Sequence, residues 1–287
     1  MIKFENIEKD RGRENFRIER VLDKGVGLMN EDAILDSPEI FGAFDGATGL
    51  DKYIDPQGRT GGYLASQTAK EIFSRNDASL VDLAISANRK IREEMIDKKI
   101  DVDKRANLWC TTFAVARLKE KQLEWAQISD ASILLIYRDG SFKILGGDYS
   151  FDRPSLVKWK ELSDQGETEI GKKIQDQLIK VRAGANQNYG VLNGEENMIN
   201  FLNSGLEPLD NVKDILIFSD GLLIPKTDPE AAEDFSAIVK LYLEGGLNRV
   251  KDYVRDLESS DPECRKFPRF KEHDDMAAVA ISFSPSK

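Results

Sequence analysis

The chain has 287 residues, of which 40% are hydrophobic, so it can bury a full core. It carries 41 lysines and arginines against 51 aspartates and glutamates, a formal net charge of -10 that argues against nucleic acid as a partner, because phosphate contacts need clustered cations. No Pro/Gly/Ser-rich linker divides the chain, and we therefore expect one domain over residues 1–287.

The sequence carries no signal for export or membrane insertion. Residues 1–6 lack a basic segment followed by an apolar stretch, and no uncharged run approaches the length that spans a membrane. The two cysteines, Cys110 and Cys264, form neither a disulfide framework nor a CxxC zinc pattern. We expect a monomeric cytoplasmic protein that binds neither membranes nor nucleic acid.

The first third of the chain predicts three strands and then two helices. The strands are expected over 16–22, 33–35 and 40–44, and the last of them delivers Asp45 to a turn at Gly46. Apolar residues then recur at helical spacing over 63–74 and again over 80–98.

The middle of the chain changes to a period of two. Strands are predicted over 112–116, 122–126, 133–137 and 141–145, and Asp139-Gly140 is a strong hairpin turn between the last two. We expect these four strands to form an antiparallel meander. The order of strands, helices and strands favours layered α+β architecture over alternating βα units.

The remaining residues mix weak and strong signals. Between 147 and 190 we expect a polar helix over 168–181 and a strand over 189–192. The run 215–218 is a fully apolar strand ending at Asp220-Gly221, helices are expected over 230–243 and 247–258, and the final strand over 276–283.

Short acidic segments lie beside these apolar runs, far apart in the chain. They contain Glu31 and Asp32, Asp45, Asp130, Asp220, and Asp274 with Asp275. If they converge, the carboxylates would repel one another unless a hard cation neutralised them, and an oxygen-only donor set favours Mg²⁺, Mn²⁺ or Ca²⁺ over zinc or copper. Two such ions about 4 Å apart can generate hydroxide near neutral pH and stabilise an in-line phosphoryl displacement. This pattern indicates hydrolysis of a phosphoester.

In their order along the chain, the motifs around Glu31, Asp45, Asp130, Asp220 and Asp274 resemble those of the PP2C-type, metal-dependent serine/threonine protein phosphatases, over nearly the whole length. The resemblance implies a four-layer α-β-β-α sandwich in which two central antiparallel sheets carry a binuclear Mg²⁺ or Mn²⁺ centre. It further implies a phosphorylated protein as the substrate, with metal-activated water as the nucleophile.

The resemblance also implies a role for each site residue. Asp45 would bridge the two ions, Glu31 and the Gly46 carbonyl would complete one, and Asp220 with Asp274 would complete the other. Asp130 would share a possible third ion with Asp220, and Asp32 would orient metal-bound water. Asp32, Asp45 and Asp220 are thus the expected catalytic residues.

The chain departs from the family pattern at two chemically important positions. Gly27 replaces an arginine that commonly holds the substrate phosphate, and Ala47 replaces the histidine that follows Asp-Gly in eukaryotic members. Arg182 and Arg269 are candidates to bind phosphate instead, since each precedes a strand expected near the site and a guanidinium can grip phosphate. His273, the only histidine, is a candidate general acid but more often such a residue only fills a loop.

Other functions stay open at this stage. A pseudophosphatase would bind phosphoproteins without turnover, which the missing arginine and histidine favour and the retained acidic set opposes. A phosphatase of small phosphomonoesters would use the same chemistry, because substrate choice lies in variable loops. A two-metal nuclease is disfavoured by the acidic charge balance.

Overall fold

The structure is a computed structural model that describes residues 16–147 and 149–284. Within these residues, ten strands form two five-stranded antiparallel sheets. The first sheet has the order β1-β10-β9-β6-β7 and the second sheet has the order β2-β3-β4-β5-β8. The strands are β1 Phe16–Asp23, β2 Ala33–Asp36, β3 Ile40–Ala47, β4 Cys110–Lys119, β5 Gln122–Ile128, β6 Ser132–Tyr137, β7 Phe142–Leu145, β8 Asn203–Pro208, β9 Val212–Phe218 and β10 Met276–Phe283.

The sheets pack face to face because several strands are apolar on both sides. In β9, Ile215 and Ile217 belong to the core between the sheets, whereas Leu216 and Phe218 point to the opposite face. Successive side chains of a strand point to opposite faces, so a continuous apolar run of this kind is buried on both sides.

Helices cover the outer face of each sheet. Helices α1 Gly61–Ser74 and α2 Leu80–Asp97 pack on the second sheet, and α6 Phe235–Ser259 packs on the first. Three hydrophobic layers result, one between the sheets and one under each helical layer. This arrangement confirms the predicted four-layer α-β-β-α sandwich with two central antiparallel sheets.

The predicted meander of four strands is wrong. Strands β4 and β5 lie in the second sheet, whereas β6 and β7 lie in the first. The chain crosses between the sheets over residues 129–131, where Ser129 has a positive φ of 65°. The period of two identifies a strand but not the sheet that it joins. The crossing places Asp130 between the two sheets.

The segment between β7 and β8 also differs from the prediction. Helix α3 Arg153–Asp164 was not predicted, and the single helix expected over 168–181 is two helices, α4 Ile170–Lys173 and α5 Gln175–Ala183. Instead of a strand, residues 189–192 make isolated bridges from Tyr189 to Ala185 and from Leu192 to Thr111. Strand β8, an edge strand, was missed.

The last helical region is close to its prediction. The helices expected over 230–243 and 247–258 correspond to α6, which is interrupted by non-helical backbone at Gly245 and Gly246. The first part begins later than expected because the Asp234 carboxylate accepts the Ala237 N–H at 3.0 Å and caps the helix there.

No helix in the described part of the chain has both the length and the apolar character to cross a membrane. Residues 1–6, used for the cytoplasmic prediction, lie outside the described residues.

Candidate metal centre

The acidic segments converge because antiparallel pairing brings strand starts beside strand ends. Ala33 at the start of β2 pairs with Phe44 near the end of β3, which places Glu31 and Asp32 beside Asp45. Ala278 near the start of β10 pairs with Phe218 at the end of β9. The segments that precede β2 and β10 therefore meet Asp45 and Asp220 at one edge of the sandwich.

Asp130 reaches the same edge through the crossing between the sheets. Ile128 at the end of β5 pairs with Phe113, next to the partner of Asp45, and Ser132 at the start of β6 pairs with Phe218. The three residues between these two positions therefore span the gap from one sheet to the other. Their middle residue is Asp130.

Three carboxylates come closest together. Asp45, Asp130 and Asp220 each offer one oxygen, and these oxygens lie within 4.8 Å of one another. Both sheets contribute, since Asp45 lies in β3 and Asp220 lies two residues after the end of β9. Anionic oxygens at this spacing match the needs of a hard divalent cation.

Burial and mutual repulsion act on the protonation of this group. Burial raises the pKa of Asp45, Asp130 and Asp220, and the charge of Asp220 raises the first two further. For Asp220 the second cause is the charge of Asp274. A bound cation would reverse these shifts, because it favours the charged carboxylates.

The donors available in this group suit Mg²⁺ or Mn²⁺. Asp130 is 7% exposed, and its Oδ1 is a buried acceptor with no hydrogen-bond partner among the described residues. A buried carboxylate oxygen without a partner is unfavourable unless a proton or cation satisfies it. The oxygen-only set around it is the one that hard cations prefer.

The three carboxylates open into a cleft of about 400 Å³. All six residues that the sequence predicts as metal ligands line it: Glu31, Asp45, Gly46, Asp130, Asp220 and Asp274. Its opposite side includes apolar residues from the segment between β7 and β8, among them Phe151, whose ring stacks on Tyr189 with centroids 4.2 Å apart.

Glu31 and Gly46 are held against each other at the end of β3. The Glu31 carboxylate accepts a hydrogen bond from the Thr48 hydroxyl, which in turn accepts the Gly62 N–H at 2.8 Å. A Cβ on Gly46 would lie 2.5 Å from the Glu31 carbonyl oxygen and closer still to that of Gly62. The backbone at this position therefore requires glycine.

Asp275 has a different role from its neighbour Asp274. Its two carboxylate oxygens accept the N–H groups of Gly25 and Glu31, each at 2.8 Å, and the residue is 6% exposed. The sequence groups Asp275 with the oxygen donors. In the structure Asp275 has a structural role instead, because both of its carboxylate oxygens hold the loop that presents Glu31.

Asp32 lies behind the residues that line the cleft. It is 3% exposed, and its carboxylate accepts the Ser219 hydroxyl at 2.6 Å. Burial raises the pKa of Asp32, the Ser219 hydrogen bond opposes that shift, and the charges of Asp274 and Asp220 add to it. That Asp32 orients a water stays a prediction.

Asp274 is bonded to a cation that the sequence analysis did not single out. Lys271 Nζ lies 2.6 Å from Asp274 Oδ1, and both residues line the cleft. The same Oδ1 accepts the Asp275 N–H at 2.8 Å. A lysine three residues before a predicted ligand was the available signal, but only the loop conformation turns it toward the site.

Of the two arginines predicted to bind phosphate, Arg182 lines the cleft and Arg269 does not. Arg182, on α5, has a buried Nη1 without a hydrogen-bond partner among the described residues. Its charge works to lower the pKa of Asp152, although burial dominates and raises that pKa to about 6. Arg182 is therefore a cation of the cleft lining whose buried Nη1 has no hydrogen-bond partner among the described residues.

Arg269 is committed to its own loop. Its Nε donates to the Glu272 carbonyl at 3.0 Å, Nη1 to the Asp261 carboxylate at 3.1 Å, and Nη2 to the Glu258 carbonyl at 2.8 Å. Every nitrogen of the guanidinium thus donates a hydrogen bond within the protein. Arg269 therefore has a structural role in its loop instead of the predicted contact with phosphate.

His273 has a similar position outside the cleft lining. Its Nδ1 lies 2.8 Å from the Glu258 carboxylate of α6. The geometry favours the interpretation of His273 as a loop residue over the general-acid candidate, because its ring is directed to the helix.

Comparison with known proteins gives structural but not sequence similarity. No family model matches the chain, and no curated protein matches it in sequence. The serine/threonine phosphatase PstP/Ppp of Mycobacterium tuberculosis is similar in structure, with a TM-score of 0.60, 17% identity, and coverage of 94% of this chain and 99% of that one.

Two further solved structures give the same result. The serine/threonine phosphatase Stp1 of Staphylococcus aureus has a TM-score of 0.58 and 16% identity, with coverage of 97% of this chain and 100% of that one. The catalytic domain of PstP in complex with two manganese ions also has a TM-score of 0.58 and 16% identity, with coverage of 94% and 99%. At these identities the similarity establishes the fold, which is that of the bacterial PP2C-type phosphatases.

Proposed function

We propose that this protein is a Mg²⁺- or Mn²⁺-dependent phosphatase that hydrolyses phosphoserine and phosphothreonine in proteins. The observation that carries the proposal is the convergence of Asp45, Asp130 and Asp220 within 4.8 Å, in a cleft that also contains Glu31, Gly46 and Asp274. The similar fold of a phosphatase catalytic domain that binds two manganese ions supports it. We propose two ions as the cofactor, with a third as a possible addition at Asp130 and Asp220.

The carboxylates would hold the cations, and bound cations supply a hydroxide nucleophile near neutral pH and charge stabilisation for phosphoryl transfer. Asp45 is central because it lies at the end of β3 beside Glu31 on one side and near Asp130 and Asp220 on the other. Asp32 would act from behind the cleft, where it holds the Ser219 hydroxyl next to Asp220.

Arg182 would bind the substrate phosphate. Its Nη1 is buried in the described structure without a hydrogen-bond partner, and it faces the same cleft as the carboxylates. Arg182 would therefore supply the guanidinium that the chain lacks at Gly27, a residue that does not line the cleft. A charged phosphate oxygen would satisfy the unused donor.

The apolar side of the cleft bears on the substrate. Phe151, Val181 and Phe270 offer a surface for apolar parts of a peptide next to the phosphorylated residue. This favours a protein substrate, and a small phosphomonoester would leave that surface unused.

The expectations of one domain, a monomer and a cytoplasmic location remain predictions.

A direct test is release of phosphate from a phosphothreonine peptide by the full chain with Mn²⁺, Mg²⁺ or chelator. We expect metal-dependent turnover in the wild type and none in Asp220→Asn, whereas Asp252→Asn, an exposed aspartate on α6, should behave as wild type. Turnover that persists with chelator, or in Asp220→Asn, would contradict the proposal.

A pseudophosphatase is the second candidate. The ion pair of Asp274 with Lys271 favours it, because a carboxylate tied to a lysine is less available to a metal. Tight binding of the phosphopeptide, measured by calorimetry, without phosphate release under any metal condition would support this candidate over the enzyme.

A further inference from the structure

We infer that Lys271 is a tethered cation that competes with a divalent ion for the Asp274 carboxylate and so weakens metal binding at that position. The inference rests on the proposed function, since it assumes a metal centre at the neighbouring carboxylates. It concerns the occupancy of one metal position in this chain.

The first support is the contact itself. Lys271 Nζ lies 2.6 Å from Asp274 Oδ1, which makes this a short charge-assisted hydrogen bond. Both side chains line the cleft that contains Asp45 and Asp220. Because Oδ1 also accepts the Asp275 N–H, a metal ion approaching this oxygen would have to displace the ammonium group.

The second support is the position of Asp274 relative to the other carboxylates. Within the described residues, the close group of possible ligands comprises Asp45, Asp130 and Asp220, and Asp274 is not part of it. In the part of the chain that the structure describes, Asp274 is the one predicted aspartate ligand whose carboxylate is ion-paired to a lysine in the cleft.

Lys271 lies among negative charges, since Asp274, Asp45 and Asp220 line the same cleft. Lys271 therefore neutralises part of the same negative potential that a divalent ion would neutralise.

The loop that carries Lys271 is anchored on both sides. The Phe270 ring packs edge-on against Trp159 with centroids 6.1 Å apart, and the Trp159 Nε1 donates to the Cys264 carbonyl at 2.8 Å. Arg269 ties the same loop to the end of α6. These contacts hold the backbone just before Lys271 and so keep the base of its side chain near Asp274.

The two cations of the cleft therefore have different roles. Arg182 Nη1 has no hydrogen-bond partner among the described residues, whereas Lys271 Nζ already has one in Asp274. This division distinguishes the inference from the alternative that Lys271 holds phosphate.

The test is calorimetric titration of the full chain with Mn²⁺ alone. In Lys271→Met we expect the weakest Mn²⁺ site to tighten about tenfold or more, or one additional equivalent to bind, because a cation is removed from direct contact with a ligand oxygen. Lys271→Arg keeps the charge and should resemble wild type. Lys240→Met removes an exposed lysine of α6 and is the matched control.

A double-mutant cycle with Asp274→Asn separates local competition from a general change in charge. The gain in Mn²⁺ affinity should disappear once Asp274 is removed, so Lys271→Met/Asp274→Asn should bind Mn²⁺ as Asp274→Asn alone does. A gain that survives in the double variant would overturn the inference.

Two further outcomes would also overturn it. If Lys271→Met binds Mn²⁺ as wild type does and loses affinity for inorganic phosphate, Lys271 is a phosphate ligand, and the proposed function stands. If the wild type and all variants bind no Mn²⁺, both this inference and the proposed function fail.

Discussion

Two regions supply the predicted ligands, and they differ in how firmly they hold them. Asp45, Asp130 and Asp220 lie in or directly beside strands that are buried on both faces, so their positions follow from the packing of the two sheets. Asp274 lies in an irregular loop, and the side chain is 41% exposed and paired with Lys271. The packing of the sheets therefore brings together the carboxylates on rigid elements, whereas the loop carboxylate is paired with Lys271.

The comparison makes Asp45 the most sensitive position. We expect Asp45→Asn to lower metal-dependent phosphate release by about 100-fold or more, since it removes one carboxylate of the proposed metal-binding group. The metal-free variant should melt higher than wild type, because one of three mutually repelling buried charges is gone. Phosphate release and thermal melting in chelator check both effects, and a lower melting temperature would contradict the repulsion argument.

Substitution of Gly46 tests whether the end of β3 needs its close backbone packing. Gly46→Ala places a Cβ against two carbonyl oxygens, so we expect a loss of about 1–3 kcal/mol in the free energy of unfolding, measured by urea denaturation. Gly171→Ala in α4 is the matched control, because its Cβ would meet its nearest neighbour, Trp159, at an ordinary 3.9 Å. Equal stability of both variants would show that the close approach at Gly46 is not essential.

Substitution of Arg182 and Arg269 tests the difference between a cleft residue and a loop residue. We expect Arg182→Ala to raise KM for a phosphopeptide about tenfold, because a charge-assisted contact to phosphate is lost. Arg269→Ala should leave KM unchanged and lower the melting temperature by a few degrees, since it removes hydrogen bonds within the loop and the ion pair with Asp261. An unchanged KM in Arg182→Ala would remove that residue from the phosphate site.

The smallest expected effect is a pH dependence of stability. The folded-state pKa values of Asp45, Asp130 and Asp220 are raised, to about 7 for Asp220, so their contribution to stability is fully present below the unfolded pKa of about 4 and is lost as pH rises through the folded pKa. Protons also compete with metal for these oxygens. The gain in melting temperature on adding Mn²⁺ should therefore be greater by a few degrees at pH 8 than at pH 5.5.

Asp220→Asn should abolish most of that difference. Asp252→Asn, which lies on the exposed face of α6, should keep it. A Mn²⁺ effect on melting that is larger at pH 5.5 than at pH 8 would contradict a carboxylate metal site.

The strands near the site were predictable, while the segment between β7 and β8 was not. β9 and β10 have long apolar runs, and β10 was predicted with its observed bounds. Helix α3 and strand β8 were missed because their sequences are polar, and β8 is an edge strand with Gly205 and Pro208. Where the local sequence pattern is this weak, tertiary contacts decide the secondary structure.

By itself, the sequence determined a layered α+β fold, because apolar periodicity is a local property of the chain. Its resemblance to the PP2C-type phosphatases implied which acidic residues line the cleft. The tertiary structure alone decided which sheet β6 joins, and hence where Asp130 lies. It also decided that Lys271 faces Asp274 while Arg269 turns away, because side-chain direction in an irregular loop depends on contacts with distant residues such as Trp159 and Glu258.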